Sequence, residues 1–313
     1  TVVRCSSLGT YFSMPVSFSF LYQFIRLAKT HDIIHFHEPF PLGTLVGLLP
    51  IRKKSIFITW HSDIVKQKIL KNVVEKFQSK LCNKATKIVT TSDNLAIYSN
   101  VLKKYKEKII TIPLTVDIED YYNYKDISSE LLQKIPKDYV LFLGRFSYYK
   151  GIYVLLDAIE KIEENIPFVI VGDGELAEKI KKKIHNIKRN IILINRFVSE
   201  YEKRILLKNC KIFVFPSIYP SEAFGIVQLE AMVYKKPVIN TNLPTGVPWV
   251  SLHEVTGLTV QPNNSEELAK AIKKLYFDNN LLQEFGTNAF NRVMSLFTND
   301  TLEKKLNSLY SEL

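Results

Sequence analysis

An α/β fold of two doubly wound, Rossmann-like units facing a cleft is what this sequence predicts. Three observations carry that reading. Short apolar runs alternate with segments of helical spacing along the whole chain, the pattern of parallel strands covered on both faces. The length, 313 residues, suits two domains at roughly 100–200 residues each. A polar, tyrosine-rich stretch at 116–139 carries no strand pattern and separates the two sets of strands.

In the first half the expected strands are DIIHFH (32–37), SIFITWHSD (55–63), KIVTTSD (87–93) and KIITIPL (108–114). A helix is expected over 64–81, with Ile69, Leu70, Val73, Val74, Phe77 and Leu81 as its apolar stripe. Lys66, Lys68, Lys71, Lys76 and Lys80 lie mostly off that stripe. In the second half YVLFLG (139–144) is a strand, and GIYVLLDAIEKIEE (151–164) has Val154, Leu155, Ala158, Ile159 and Ile162 at helical spacing. FVIVG (168–172), NIILI (190–194), KIFVFPS (211–217) and PVIN (237–240) follow as strands. Helices ELAEKIKKKIHNI, EYEKRILLKN and GIVQLEAMVYKK stand between them. The expected partition is a first domain over 1–120, a linker over 121–138, a second domain over 139–297, and a helix over 298–313 that crosses back to the first.

Composition narrows the function. Apolar residues make up 46% and charged residues 23%, which excludes wholesale disorder. No apolar run approaches the ~18 residues of a spanning helix, and no signal-peptide pattern stands out. The cysteines Cys5, Cys82 and Cys210 lie far apart. That excludes a disulfide scaffold and a Cys-x-x-Cys zinc site, and fits a reducing cytoplasm. The net charge is +11, and residues 52–108 hold 14 Lys and Arg against 4 Asp and Glu. Such a field draws anionic partners: nucleic acid, acidic lipid or phosphorylated substrates. The chain opens on Thr1, and its first residues read like the middle of a domain, which suggests an N-terminal truncation.

Open α/β sheets bind ligands at the carboxyl ends of their strands. Those positions hold His37 and Glu38, His61 to Asp63, Gly144 and Arg145, Gly172 to Gly174, and Pro216 to Gly225. SEAFGIVQLE (221–230) is the strongest signal among them. Glu222 stands before a helix, and Glu230 lies within it. Backbone N–H groups near Phe224, Gly225 and Ile226 are unpaired at the helix start and form an anion site with the helix dipole. Gly225 admits a ligand close to the backbone. Glu230 is placed to accept from ribose hydroxyls, and Glu222 from sugar hydroxyls. The plain alternative is a capped helix with two solvated glutamates. In GRFSYYKG (144–151), Arg145 and Lys150 bracket a strand-to-helix loop. Two fixed cations there suit a diphosphate and the charge that builds on a leaving nucleotide.

Together these passages resemble the retaining glycosyltransferases of family 4, which have the GT-B fold. The resemblance rests on Glu222 and Glu230 in PSEAFGIVQLEAM, Arg145 and Lys150 in GRFSYYKG, and VGDGEL (171–176). RFVSEYEK (196–203) matches the segment that lines the nucleotide base in that family, and TGVPWVSLHEVTGLTVQP (245–262) a stretch typical of the branch that builds bacterial surface polysaccharides. DIIHFHEPFPL and TWHSDIVKQK match the acceptor-domain strands.

The resemblance implies a nucleotide-sugar-dependent hexosyltransferase. Mannose is the favoured sugar, GDP-mannose is favoured over a UDP-hexose, and a lipid-linked or polysaccharide acceptor is held by the first domain. Its catalytic set is His61, Glu222, Arg145 and Lys150. Its donor set is Gly144, Gly172, Phe197, Val198, Phe224, Gly225, Ile226, Val227 and Glu230. His37 and Glu38 lie on the acceptor side. No metal is needed, because Arg145 and Lys150 stand in for it, and no nucleic acid is implied. The enzyme is expected in the cytoplasm, at the inner face of the membrane. Two departures stand out. The family's first strand and glycine-rich loop are missing, so part of the acceptor domain is expected to be absent, and IPLTVD (112–117) replaces the common IPNGVD.

Each remaining candidate has a plainer reading. His35 and His37 share a strand face, but no third zinc ligand is indicated. His61 is a structural histidine in the plain reading. The lysines of 64–81 are either a lipid-docking face or an ordinary solvated one. Two other function classes remain: a nucleotide-sugar 2-epimerase of the same fold, against which GRFSYYKG and TGLTV argue, and a non-catalytic basic protein that binds membrane or nucleic acid. The latter needs aromatics interleaved with the basic residues, and residues 64–81 contain only Phe77.

Overall fold

β-branched and aromatic runs bounded by polar loops form parallel strands here, as the alternating pattern requires. The computed structural model describes residues 1–11, 14–50, 54–64, 68–122, 133 and 135–311. The chain divides into two units, Thr1–Ile112 with Ser308–Leu313, and Pro113–Asn307.

The first unit begins with a two-stranded hairpin, β1 (Thr10–Tyr11) and β2 (Met14–Pro15). Helix Phe18–Ala28 follows, capped by Ser17, whose hydroxyl accepts from the Phe20 N–H at 3.0 Å. The main sheet is β3 (Ile33–Glu38), β4 (Ser55–Trp60), β5 (Lys87–Thr90) and β6 (Ile109–Thr111), all parallel and in that order. Phe36, Ile56, Ile58, Trp60 and Ile88 pack with Leu81 and Cys82 of helix Lys68–Lys84 to form its core. That helix corresponds to the one expected over 64–81; Lys66 lies outside the described residues.

The second unit has six parallel strands: β7 (Val140–Leu143), β8 (Phe168–Val171), β9 (Ile191–Ile194), β10 (Ile212–Val214), β11 (Val238–Thr241) and β12 (Gly257–Val260). Their order across the sheet is β12-β11-β10-β7-β8-β9. Successive residues point to opposite faces, and both faces are buried. Val140, Phe142, Phe168, Ile170, Ile212 and Val214 pack with helices Ile152–Glu160, Ala177–Asn186 and Ser265–Phe277. Leu141, Val169, Phe213 and Phe215 pack with helices Glu200–Asn209, Ile226–Val233 and Asn279–Leu296. Phe213 is wholly enclosed, so its truncation to Ala costs about 3–5 kcal/mol.

Residues Pro113–Tyr122 belong to the second unit, with Val116 and Tyr121 in its core. Of the linker expected over 121–138, residues 123–132 and 134 lie outside the described residues. Helix Asn299–Ser311 starts in the second unit, and its residues from Ser308 count with the first. No helix among the described residues is long and apolar enough to cross a membrane.

Candidate functional site

In the second unit the chain enters the sheet at its middle. It builds outward through β8 and β9, then returns to lay β10 on the other side of β7. The strand order therefore reverses between β7 and β10, and a ligand crevice opens where the connections diverge at their carboxyl ends. The loops leaving those two strands are the ones singled out by sequence: 144–151 after β7 and 215–225 after β10.

The two loops fit together closely. Gly151 sits at φ 68°, and a Cβ there would come within 1.8 Å of the Pro216 carbonyl oxygen. Gly225 caps helix Ile226–Val233 at φ 80°, where a Cβ would strike the Phe215 ring at 2.5 Å. Only glycine meets both demands. Among the described residues no side chain caps that helix, so the first N–H groups, at Ile226 and Val227, have no capping partner there.

Two ion pairs, each joining a buried glutamate to a half-buried lysine, flank the crevice. The Lys150 ammonium lies 2.5 Å from Glu222 Oε2, which also accepts from the Ser217 hydroxyl at 3.2 Å. The same ammonium lies 5.0 Å from the Phe215 ring centroid and 5.3 Å from that of Tyr149, so ring quadrupoles add to its stabilisation. Glu230, only 7% exposed, accepts at Oε1 from the Tyr121 hydroxyl at 2.7 Å and from Lys203 at 2.6 Å. Glu222 Oε1 and Glu230 Oε2 take no bond within the described chain. Each carboxylate is thus anchored by one oxygen and open at the other.

Beside them lies a cavity of about 210 Å³. It is walled by Gly144, Arg145, Gly172, Phe197 and Val198, each expected on the donor side or at the diphosphate, and also by Asp173, Arg196 and Lys203, which lie within the segments 172–174 and 196–203 that the sequence marks without a role of their own. Phe197 is 78% exposed, an aromatic face open to a flat ligand. Arg145 pairs loosely with Glu175 at 3.6 Å, and both are exposed, an arrangement worth little that leaves the guanidinium free to turn. Arg196 is held by Glu202 at 3.0 and 2.5 Å. That bidentate bond holds the Glu202 carboxyl down to about 2. Glu202 also completes a capping box with Ser199 at the start of helix Glu200–Asn209. Phe224 and Val227 differ from Gly225 and Ile226. The Phe224 side chain packs against Trp249 and Phe297 and Val227 against the core, so both can serve a ligand through their backbone only.

In the first unit, register pairs His37 with Thr59 and Glu38 with Trp60. His35, His37 and His61 stack in series, with ring centroids 5.0 and 5.2 Å apart. His37 Nδ1 and His61 Nε2 share a hydrogen bond of 2.9 Å. His35 bonds Thr59 Oγ1 at 2.7 Å and Tyr310 Oη at 2.6 Å. Burial, with His37 adding, lowers the His61 pKa and keeps that ring neutral near pH 7.

Glu38 differs from the expectation of an acceptor-facing carboxylate. It is 1% exposed. Its oxygens accept from the Thr44 hydroxyl at 2.6 Å, the Gln78 amide at 2.9 Å and the Phe40 N–H at 3.0 Å. Burial raises its pKa, and the three bonds only partly offset the rise. The side chain ties the loop after β3 to two helices. Among the described residues no three His, Cys, Asp or Glu side chains gather as a metal site.

Comparison with known proteins follows the same division. Residues 2–120 match the family model described as Glycosyltransferase Family 4, and residues 124–292 match Glycosyl transferases group 1. The O-antigen chain mannosyltransferase C of Escherichia coli is 31% identical over 96% of this chain and 81% of its own length. The D-rhamnosyltransferase WbpZ of Pseudomonas aeruginosa is 34% identical over 91% and 75%. Among solved structures, Anabaena HepE in complex with UDP aligns with a TM-score of 0.81 at 20% identity, covering 94% of this chain and 82% of that one. A glycosyltransferase from Rickettsia africae aligns at 0.78 and 22% identity, covering 99% and 84%.

Proposed function

The chain belongs to the family 4 glycosyltransferases, with the GT-B pair of parallel-sheet units, and from that premise we propose that it moves a hexose, mannose favoured, from a nucleotide sugar to a lipid-linked or polysaccharide acceptor in surface-glycan synthesis with retention of configuration. The observation that supports this most is the pairing of Lys150 with Glu222 beside the uncapped helix start at Gly225, at the point where strand order reverses. Cations, free N–H groups and half-open carboxylates there match a nucleoside diphosphate joined to a sugar.

In this reading the cavity by Phe197 and Val198 takes the base, and Glu230 accepts from the ribose hydroxyls. Arg145, Lys150 and the N–H groups at Ile226 and Val227 neutralise the diphosphate as the glycosidic bond breaks. Glu222, tethered by Lys150, keeps its open oxygen for a sugar hydroxyl. The acceptor hydroxyl attacks from the face that the leaving group vacates, and its proton passes to the leaving phosphate. No protein nucleophile and no metal is required. The E. coli relative's description as an O-antigen chain mannosyltransferase supports mannose and surface glycan, and GDP-mannose is the favoured donor. The UDP held by Anabaena HepE makes UDP-hexoses the comparison donors. A place at the inner face of the cytoplasmic membrane fits a lipid-linked acceptor and the basic 52–108 segment.

The test is a screen of labelled nucleotide sugars with a membrane lipid extract as the acceptor source. The expected result is label from GDP-mannose in the glycolipid fraction, with the donor's anomeric configuration kept in the product. Transfer from UDP-hexoses alone overturns the sugar and base, an inverted anomer overturns retention, and no transfer from any donor overturns the whole reading.

A further inference from the structure

We infer that Lys203 and Tyr121 are positioning residues that clamp one oxygen of Glu230 and thereby aim the other at the ribose of the bound donor; this rests on the ribose role proposed above for Glu230.

Glu230 occupies the middle of helix Ile226–Val233 and is 7% exposed. A carboxylate in such a place is costly unless its charge is met. Two donors meet it, and they come from two separate elements. Tyr121 reaches it from helix Ile118–Tyr122 and Lys203 from helix Glu200–Asn209. Both bonds end on Oε1. A carboxylate pinned at one oxygen by two directions of approach has lost its rotation, so Oε2 keeps a fixed heading. A pair serving only to join two helices would gain by using both oxygens, as Glu38 does.

Both donors keep their protons at neutral pH. Burial acts most strongly on Lys203 and works to lower its pKa, but the bonds to Glu200 and Glu230 outweigh it, and the net shift is upward. Burial, followed by the charge of Glu230, raises the Tyr121 pKa above the usual phenol range. Lys203 also lines the 210 Å³ cavity, so the carboxylate it holds stands beside the space proposed for the nucleoside. Glu200, 2.8 Å from Lys203 and exposed, holds the ammonium from its other side.

The experiment compares ligands that differ only in the ribose. Calorimetric titration measures the affinity of GDP against 2′,3′-dideoxy-GDP, and of UDP against its dideoxy analogue, for the parent and for Lys203→Met, Lys203→Arg, Tyr121→Phe and Glu230→Gln. The parent is expected to favour the ribo form of the base it binds by about tenfold or more. Glu230→Gln, Lys203→Met and Tyr121→Phe should each cut that ratio to less than about threefold, while Lys203→Arg keeps most of it. Affinity for the dideoxy ligand is the reference for each ratio, since a general loss of structure would weaken both ligands together and leave the ratio near the parent's. If Glu230→Gln keeps the parent's ratio, or the parent shows none, the ribose role of Glu230 fails and the clamp with it. If Glu230→Gln loses the ratio while Lys203→Met and Tyr121→Phe keep it, the ribose role stands and the clamp is wrong. Tyr121→Phe removes a single hydroxyl, so it decides the matter if Lys203→Met fails to fold.

Discussion

Three glutamates lie buried near the carboxyl ends of the two sheets, and they are used differently. Glu38, in the first unit, is saturated: Thr44 bonds one oxygen, and Gln78 and the Phe40 N–H bond the other. Among the described residues, Glu222 and Glu230, in the second unit, are each bonded at one oxygen only, and each by a lysine. A saturated carboxylate is finished and serves the scaffold. A half-satisfied one, held by a cation, keeps an oxygen open among the described residues, as the proposed donor role requires. Buried polar groups are normally paired, so an open oxygen in a crevice says more about function than burial or charge alone.

The contrast is broken most severely at Lys150. Lys150→Ala should lower kcat by about 10²–10³-fold, with a smaller effect on donor KM, because charge on the diphosphate grows as the bond breaks. Steady-state kinetics decide it; a rise in KM with normal kcat would mean that Lys150 only binds. Glu38→Ala should strand the donors of Thr44, Gln78 and Phe40 and cost about 1–3 kcal/mol of stability. Urea unfolding measures that cost, and nucleotide affinity should not change.

A smaller effect comes from His35. Burial, then His37 and His61, hold its imidazole down from 6.5 to about 4. The unfolded chain takes that proton near 6.5 and the folded chain only near 4, so the stability it contributes is present above pH 6.5 and lost as the pH falls toward 4. Thermal unfolding of the parent and His35→Gln at pH 7.5 and 4.5 should show a gap that narrows in acid; a constant gap would contradict it. The smallest effect per residue is in the basic segment. Replacing Lys66, Lys68, Lys71 and Lys76 with Gln should weaken binding to anionic vesicles by about 1 kcal/mol per lysine in low salt, with nucleotide binding intact. Equal co-sedimentation of mutant and parent would make these lysines a solvated face.

Much of this was legible in the sequence. Strand periodicity placed β3 to β6 and β7 to β11 near their observed positions, because a strand buried on both faces reads as a continuous apolar run. β12 carries little strand signal: Gly257 to Val260 is short, and glycine and threonine dilute its apolar pattern. The residue chemistry at 144–151 and 221–230 marked the crevice, since free N–H groups and fixed cations follow from local spacing. The partners of the glutamates were not legible. Tyr121 and Glu230 lie 109 positions apart and Gln78 and Glu38 lie 40 apart, and no local pattern records such meetings. Lys203 reads as one more lysine on an amphipathic helix. Its sequence signal was its place in RFVSEYEK, a segment already tied to the nucleotide.

The most direct test of the contrast is one calorimetric titration of GDP and UDP into Glu230→Ala and Glu38→Gln. The account predicts that Glu230→Ala weakens nucleotide binding about tenfold or more, while Glu38→Gln binds like the parent. Unchanged affinity in Glu230→Ala, or an equal loss in both, would contradict it.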